Sequence, residues 1–252
     1  MNKLFGTKHL ILLAISLILI VVLYLLSRKM KFKTLCKTLF IIGIVSEIIK
    51  VFYYTIANEA ELGGVLPKGD LPFHLCSIQI IFIAIINFSS NEKLKRTILS
   101  FMLPSCLFGG LAAIAIATTT SLNSWVITFQ YFLYHIAIIV FALNLFTSKE
   151  FKIEIKDYFR CLSFLLLIMF FAFYINSIVY DGTDNINFMY VVSPPVEGLP
   201  FLNENHGWIV YIAHYASLIL FCVTLCYIKP IICAIKSKIQ SKKVQKTAQN
   251  NE

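Results

Sequence analysis

Charge is scarce in this sequence. Only 14% of its 252 residues are Asp, Glu, Lys or Arg, where a soluble domain carries roughly 25%. That shortage excludes a water-soluble globule, and no polar stretch is long enough to form a separate soluble enzyme domain. There is no CxxC pair and no clustered His/Cys set, so the spacing that structural zinc needs is missing, and neither a metal nor another cofactor is expected. The seven cysteines, Cys36, Cys76, Cys106, Cys161, Cys222, Cys226 and Cys233, are scattered, most of them in or beside apolar runs, where a thiol behaves as a small hydrophobe. No internal repeat is visible, which weakens an inverted-repeat transporter. The last apolar run contains no lysine, which disfavours a retinal Schiff-base photoreceptor.

Apolar residues are abundant: 58% of the chain is hydrophobic and the mean hydropathy is +0.79. Runs of about 18 or more apolar residues, each able to cross a hydrocarbon core of about 30 Å, recur along the chain. They predict an all-α, polytopic membrane protein with seven transmembrane helices, at 8–26, 37–57, 71–88, 97–117, 124–146, 160–179 and 207–228. The first run is followed by "SRKMKFK" and not by a small-residue cleavage site, so it reads as a span and not a signal peptide.

The net charge of +9 is a topology signal. Arg28, Lys29, Lys31, Lys33 and Lys37 follow span one, Lys93, Lys95 and Arg96 follow span three, and Lys149, Lys152, Lys156 and Arg160 follow span five. The opposite side has Lys3, Lys8 and Lys68. The positive-inside rule then places the N-terminus outside and the C-terminus in the cytoplasm, with the chain expected in a cell membrane. Nucleic-acid binding is a poor reading of this charge, and the partners expected are membrane lipids. Residues 1–230 form the membrane domain and 231–252 a basic tail, solvated or lying on the lipid surface. The longest outer loop, 180–206, carries Phe188, Met189, Tyr190, Val191 and Val192. That is too apolar for a solvated linker, so it is expected to fold back over the outer mouth. Gly109, Ala113 and Ala117 form a stripe of small residues that predicts close helix packing, and Pro104 predicts a kink in the same helix.

In lipid the informative residues are those that cost most to bury. Glu47 and Lys50, three residues apart near mid-span two, share a helix face. They are either a structural ion pair or part of a polar cavity wall. His135 sits in span five with Gln130, Tyr131 and Tyr134 nearby, and His214 lies in span seven. Each is either a satisfied core histidine or a cavity group. His206 falls in or beside the outer loop, and His9 near the terminus is expected at the interface.

The phrase "HLCS", His74–Ser77, opens span three. With Asp70 as N-cap and Pro72 in the first turn, Cys76 falls near the positive end of a helix dipole, which favours a thiolate. Apolar burial acts the other way. His74 is two residues from Cys76 and so diverges from it by about 200°, whereas Asp70 and His74 can meet on one face. A base for Cys76 must come from another span, and both His135 and His214 descend from the outer side. Depth counting leaves His135 about 9 Å deeper than Cys76.

The strings "LPFHLCSIQIIF", "FQYFLYHIAIIVFAL" and "DNINFMYVVSPPVEGLP" resemble the YwaF family of bacterial seven-span membrane proteins. That family is similar to transmembrane protein 164, a membrane acyltransferase acting on phospholipids. The resemblance runs through nearly the whole chain. It implies a cysteine nucleophile at Cys76, a histidine base at His135, and a phospholipid or lysophospholipid substrate reached from the outer leaflet. Phe188 stands where the family commonly has tyrosine. Were that chemistry present, Gln79, Tyr131 and Tyr134 would be candidate oxyanion donors on spacing alone, with Glu47 and Lys50 supporting the pair. The alternatives are a transporter or permease component, with Glu47, Lys50, His135 and His214 along a substrate path, and a non-catalytic membrane partner.

Overall fold

A computed structural model describes residues 5–57, 64–117, 122, 124–180, 186–196, 199, 202 and 207–249, the last eight of these as backbone only. Among the described residues the chain is helical, with no strand beyond an isolated bridge between Leu199 and Leu202. The helices are α1 (Thr7–Ser27), α2 (Phe32–Phe52), α3 (Leu75–Phe88), α4 (Glu92–Ala115), α5 (Trp125–Thr147), α6 (Ile155–Val179), α7 (Trp208–Cys226) and α8 (Ile228–Gln249).

Five of them, α1, α4, α5, α6 and α7, are long and apolar enough to cross a membrane. The chain is therefore a multi-pass membrane protein in composition and architecture. The two remaining expected spans depart from that pattern for a common reason. Helix α2 carries Glu47 and Lys50 inside an otherwise apolar run, and α3 has only 14 residues. At 1.5 Å per residue α3 rises about 21 Å, short of the roughly 30 Å hydrocarbon core. Both of these helices wall the polar site. The basic tail, expected to be solvated or to lie on the lipid surface, is part of helix α8. Ile228, Ile232, Ile235 and Ile239 recur at helical spacing and stay exposed.

Helix α5 is the centre of the bundle, and α1, α2 and α4 pack against it. Helix α1 lies at the periphery and buries only His9, Ser16 and Ile20. His9 is buried against the protein: its Nδ1 accepts from the Phe5 N–H at 3.0 Å, and its Nε2 lies 2.9 Å from the Ile114 carbonyl. A nitrogen that accepts a backbone N–H leaves the other to donate, so both ring nitrogens are satisfied by the neutral ring.

Proline shapes α4. Pro104 lacks an N–H, so the Ser100 carbonyl loses its intrahelical partner. The Tyr227 hydroxyl replaces it, donating to Ser100 O at 2.7 Å. The helix continues through a π-turn at Ser105–Gly109, so the expected kink takes the form of a local widening. The closest packing is one residue beyond the start of the expected stripe. A Cβ on Gly110 would lie 2.6 Å from Ile139 Cγ1, whereas one on Gly109 would meet Leu75 Cδ2 at 3.2 Å. Gly43 serves the α2–α3 crossing in the same way, with Ile80 at 2.8 Å from such a Cβ.

At the opposite end from the site, Asp157 is fully buried at the start of α6. It accepts from Arg96 Nε at 2.9 Å, Arg96 Nη2 at 2.8 Å and Arg160 Nη1 at 2.6 Å, and caps the Glu154 N–H at 2.9 Å. Two guanidinium groups and a backbone donor meet one carboxylate, so this buried charge is paired and hydrogen-bonded.

Candidate functional site

A cavity of about 320 Å³ opens between α2, α3, α4 and α5, beneath the described part of the 186–202 segment. Its polar wall is unusual for a membrane interior. Glu47 and Lys50 reach it from α2, Tyr54 from the π-turn Tyr53–Ala57 that follows α2, Asp70 and His74 from the loop before α3, Cys76 and Ser77 from α3, and Gln130, Tyr131, Tyr134 and His135 from α5.

The α2 contribution follows from helical spacing. Residues 47 and 50 fall at i and i+3 and share one face, and the π-turn after α2 brings Tyr54 to the same cavity. Lys50 Nζ lies 2.8 and 3.0 Å from the two Glu47 oxygens. Tyr54 hydrogen-bonds the Asp70 carboxyl, and Lys50 acts on that carboxyl electrostatically. One ammonium thus stands among two carboxylates and a phenol. Burial holds Asp70 above the usual carboxylate range, against the opposing pull of Lys50 and Tyr54. Tyr54 was missed in the sequence, although its seven-residue spacing from Glu47 was visible there.

Helix α3 begins later than expected. Its N-cap is His74, not Asp70, and the first i→i−4 bond runs from the Ile78 N–H to the His74 carbonyl at 3.0 Å. Cys76 is therefore the second helical residue. The amides of Leu75, Cys76 and Ser77 precede the first intrahelical bond, where the helix presents its positive end. Lys50 lies within electrostatic range of the Cys76 sulfur. The Tyr134 hydroxyl donates to the Cys76 carbonyl at 2.8 Å. Tyr134 is nine residues into α5, about 14 Å from its start, so the α3 N-terminus lies inside the bundle at that depth. Cys76 and His135 both line the one cavity. Irregular backbone is tolerated at such depth where it lines a cavity.

His135 is 2% exposed. Its Nδ1 lies 2.7 Å from the Tyr131 carbonyl oxygen, which can only accept. Nδ1 therefore carries the proton and Nε2 the lone pair. Among the described residues, Nε2 is buried with no hydrogen-bond partner. The Tyr131 ring packs on the imidazole at 4.2 Å between centroids. A neutral imidazole with an unoccupied basic nitrogen beside a cavity is the arrangement a general base needs.

The other expected residues are placed differently. Tyr131 and Tyr134 line the cavity, but their hydroxyls donate to the Ala113 carbonyl at 2.8 Å and to the Cys76 carbonyl. They position backbone and are not aimed at an oxyanion. Gln79 lies outside the lining, its Nε2 donating to Ser105 Oγ at 3.0 Å and its Oε1 buried without a partner. His214 is exposed on α7 and does not line the cavity. Tyr211 and Tyr215 take the inward face of α7, and His214 is turned about 100° from Tyr215. His74 lines the site, its Nε2 3.1 Å from the Gly69 carbonyl and its ring against Phe188 and Tyr190 at 5.2 and 5.7 Å. His206 lies outside the described residues.

The described part of the 180–206 loop folds over the mouth, where Met189 and Tyr190 line the cavity. Both adopt left-handed backbone, at φ +56° and +53°, a conformation that costs about 1 kcal/mol or more outside glycine. Side chains from α6 and α7 fix it. Asn176 brackets Phe188, accepting its N–H at 2.8 Å and donating to its carbonyl at 3.0 Å. Tyr215 bonds the Met189 carbonyl at 2.8 Å, Tyr211 that of Tyr190, and Trp208 that of Val191 at 3.0 Å. Burial pushes the Tyr190 phenol up to about 12.

Residues 4–227 match the TMEM164 family, and the chain belongs to that family. No match was found among curated proteins or among solved structures.

Proposed function

We propose that this TMEM164-family protein is a membrane acyl-transfer enzyme with Cys76 as nucleophile and His135 as general base. The observation that carries the reading is the unpartnered, lone-pair-bearing Nε2 of His135 in the wall of the cavity that also holds Cys76. Seven spans complete the fold, with α2 and α3 as the two that build the site. The N-terminus is outside, the C-terminus in the cytoplasm, and the host is a plasma membrane.

The steps follow from the groups present. His135 Nε2 takes the Cys76 thiol proton, and the thiolate attacks the carbonyl carbon of a phospholipid ester. Negative charge on the carbonyl oxygen falls near the amides at the start of α3, with Lys50 adding long-range attraction. The C–O bond breaks, the lysolipid oxygen takes the proton from His135, and the acyl group remains as a thioester on Cys76. An acceptor hydroxyl, of a lysophospholipid or of water, then gives its proton to Nε2 and attacks the thioester, and the C–S bond breaks as the leaving sulfur takes that proton back from His135.

The assay uses purified protein in detergent with a labelled phospholipid and an unlabelled lysophospholipid. Label should move to the lysophospholipid with wild type, and neither Cys76→Ser nor His135→Gln should support transfer. Equal transfer by Cys76→Ser would reject the nucleophile. The runner-up is a permease, favoured by the lining of Glu47, Lys50 and Asp70. It requires solute uptake that Glu47→Gln abolishes and Cys76→Ser spares.

A further inference from the structure

A second cavity of about 180 Å³ adjoins the first, between α4, α6 and α7. It shares Leu75, Ser105, Gly109, Ala112, Met189 and Tyr215 with the catalytic cavity, and Leu75 is the residue next to Cys76. Beyond that window its wall is apolar, with Phe101, Phe108, Ile168 and Val223 among the groups that face it. The hydroxyls that reach it are already committed: Ser105 Oγ donates to the Phe101 carbonyl and Tyr215 to the Met189 carbonyl, each at 2.8 Å. A glycerol, phosphate or amine headgroup would find nothing there to replace its water, so burying one would be costly.

We propose that this second cavity is the chamber for the fatty acyl chain that Cys76 carries, and that Gly109 is its gate. The inference rests on the acyl-transfer reading of the first cavity. The shape supports it. The lining runs from Gly109 to Phe101 on α4 and from Tyr215 to Val223 on α7, a rise of about 12 Å along each helix. An acyl carbonyl at Cys76 would send its chain through the window and down along the helices toward the buried Asp157. The window exists because α4 is locally widened at the Ser105–Gly109 π-turn and because residue 109 has no side chain. A Cβ there already meets Leu75 Cδ2 at 3.2 Å, so a branched side chain narrows the passage. The chamber therefore sets chain-length preference, while the polar cavity holds the headgroup and the reacting ester.

The test uses full-length protein in cell membranes fed alkyne-tagged fatty acids of octanoate and palmitate length, scoring hydroxylamine-labile label on Cys76. Gly109→Val at the window and Cys222→Phe in the chamber wall should each lower long-chain relative to short-chain label by about tenfold, the discrimination a few methylenes give in an apolar pocket. Phe108→Ala, which enlarges the chamber, should shift the ratio toward the long chain and serves if the filling variants do not fold. Parallel loss of both labels in folded protein, or an unchanged ratio in all three variants, overturns the chamber. Absence of any Cys76 label in wild type overturns the acyl-transfer reading instead. The chamber is then tested separately by photo-crosslinking a tail-diazirine palmitate, with capture on the 161–172 and 215–223 segments expected and absence of capture there overturning it.

Discussion

His135 divides its work between two nitrogens. Nδ1 is held by the Tyr131 carbonyl, which fixes the tautomer, and Nε2 is left with its lone pair in a buried position. That asymmetry is what the proposed role as general base rests on. Glu47 and Lys50 pose a different question at the same scale, because an ion pair in a cavity wall can be structural, functional or both. Lys50→Met leaves the Glu47 carboxylate without its partner. The cost should be about 2 kcal/mol, less than the 3–5 typical of a fully dry pair, because the Glu47 side chain is 22% exposed. Thermal melting in detergent should show that loss, and Glu47→Gln/Lys50→Met should recover most of it. Asp157 is the stronger case, since its side chain is fully buried between two arginines. Asp157→Ala should cost about 3 kcal/mol or more, visible as a lower melting temperature in detergent.

At the scale of elements, α4 is the helix on which the site depends. Pro104 frees the Ser100 carbonyl, Tyr227 captures it, and the π-turn that follows opens the window beside Leu75. Tyr227→Phe should cost about 1–2 kcal/mol by orphaning that carbonyl. In a Pro104→Ala background, where the helix can supply its own N–H, the cost should shrink, and a double-mutant cycle on melting temperature measures the coupling. Equal costs in both backgrounds would show that Tyr227 acts only through packing. Much of the helix pattern was legible in the sequence, because apolar run length is a one-dimensional signal. The start of α3 was not. Asp70 and Pro72 look like a helix opening, but Asp70 is drawn into the Lys50 and Tyr54 cluster, contacts made only in the folded bundle. Gly110 was also hidden, since one residue's difference in which glycine faces Ile139 depends on the local widening at the π-turn.

For the whole molecule, the outer segment, the bundle and the cavity form one arrangement. Helices α6 and α7 hold the 188–191 backbone through Asn176, Tyr211, Tyr215 and Trp208, and that backbone roofs the chamber in which α3 begins. Asn176→Leu removes the donor and the acceptor that bracket Phe188. Amide exchange over 188–191 should quicken about tenfold or more, as expected when a buried backbone pair loses 1–3 kcal/mol of hydrogen bonding, while exchange in α5 stays slow. The candidate pair was legible as residue types, Cys76 in "HLCS" and His135 in α5. Their place in the wall of one cavity was not, because depth counted from helix ends assumes that every helix starts at the membrane surface. The central claim is that Cys76 is acylated and that His135 drives the exchange. The most direct measurement is hydroxylamine-labile incorporation of a tagged fatty acid into the protein purified from membranes. Wild type should carry label, Cys76→Ala should carry none, and His135→Ala should fail to form it or to turn it over. Label that is absent from wild type, or that persists unchanged in Cys76→Ala, contradicts the account.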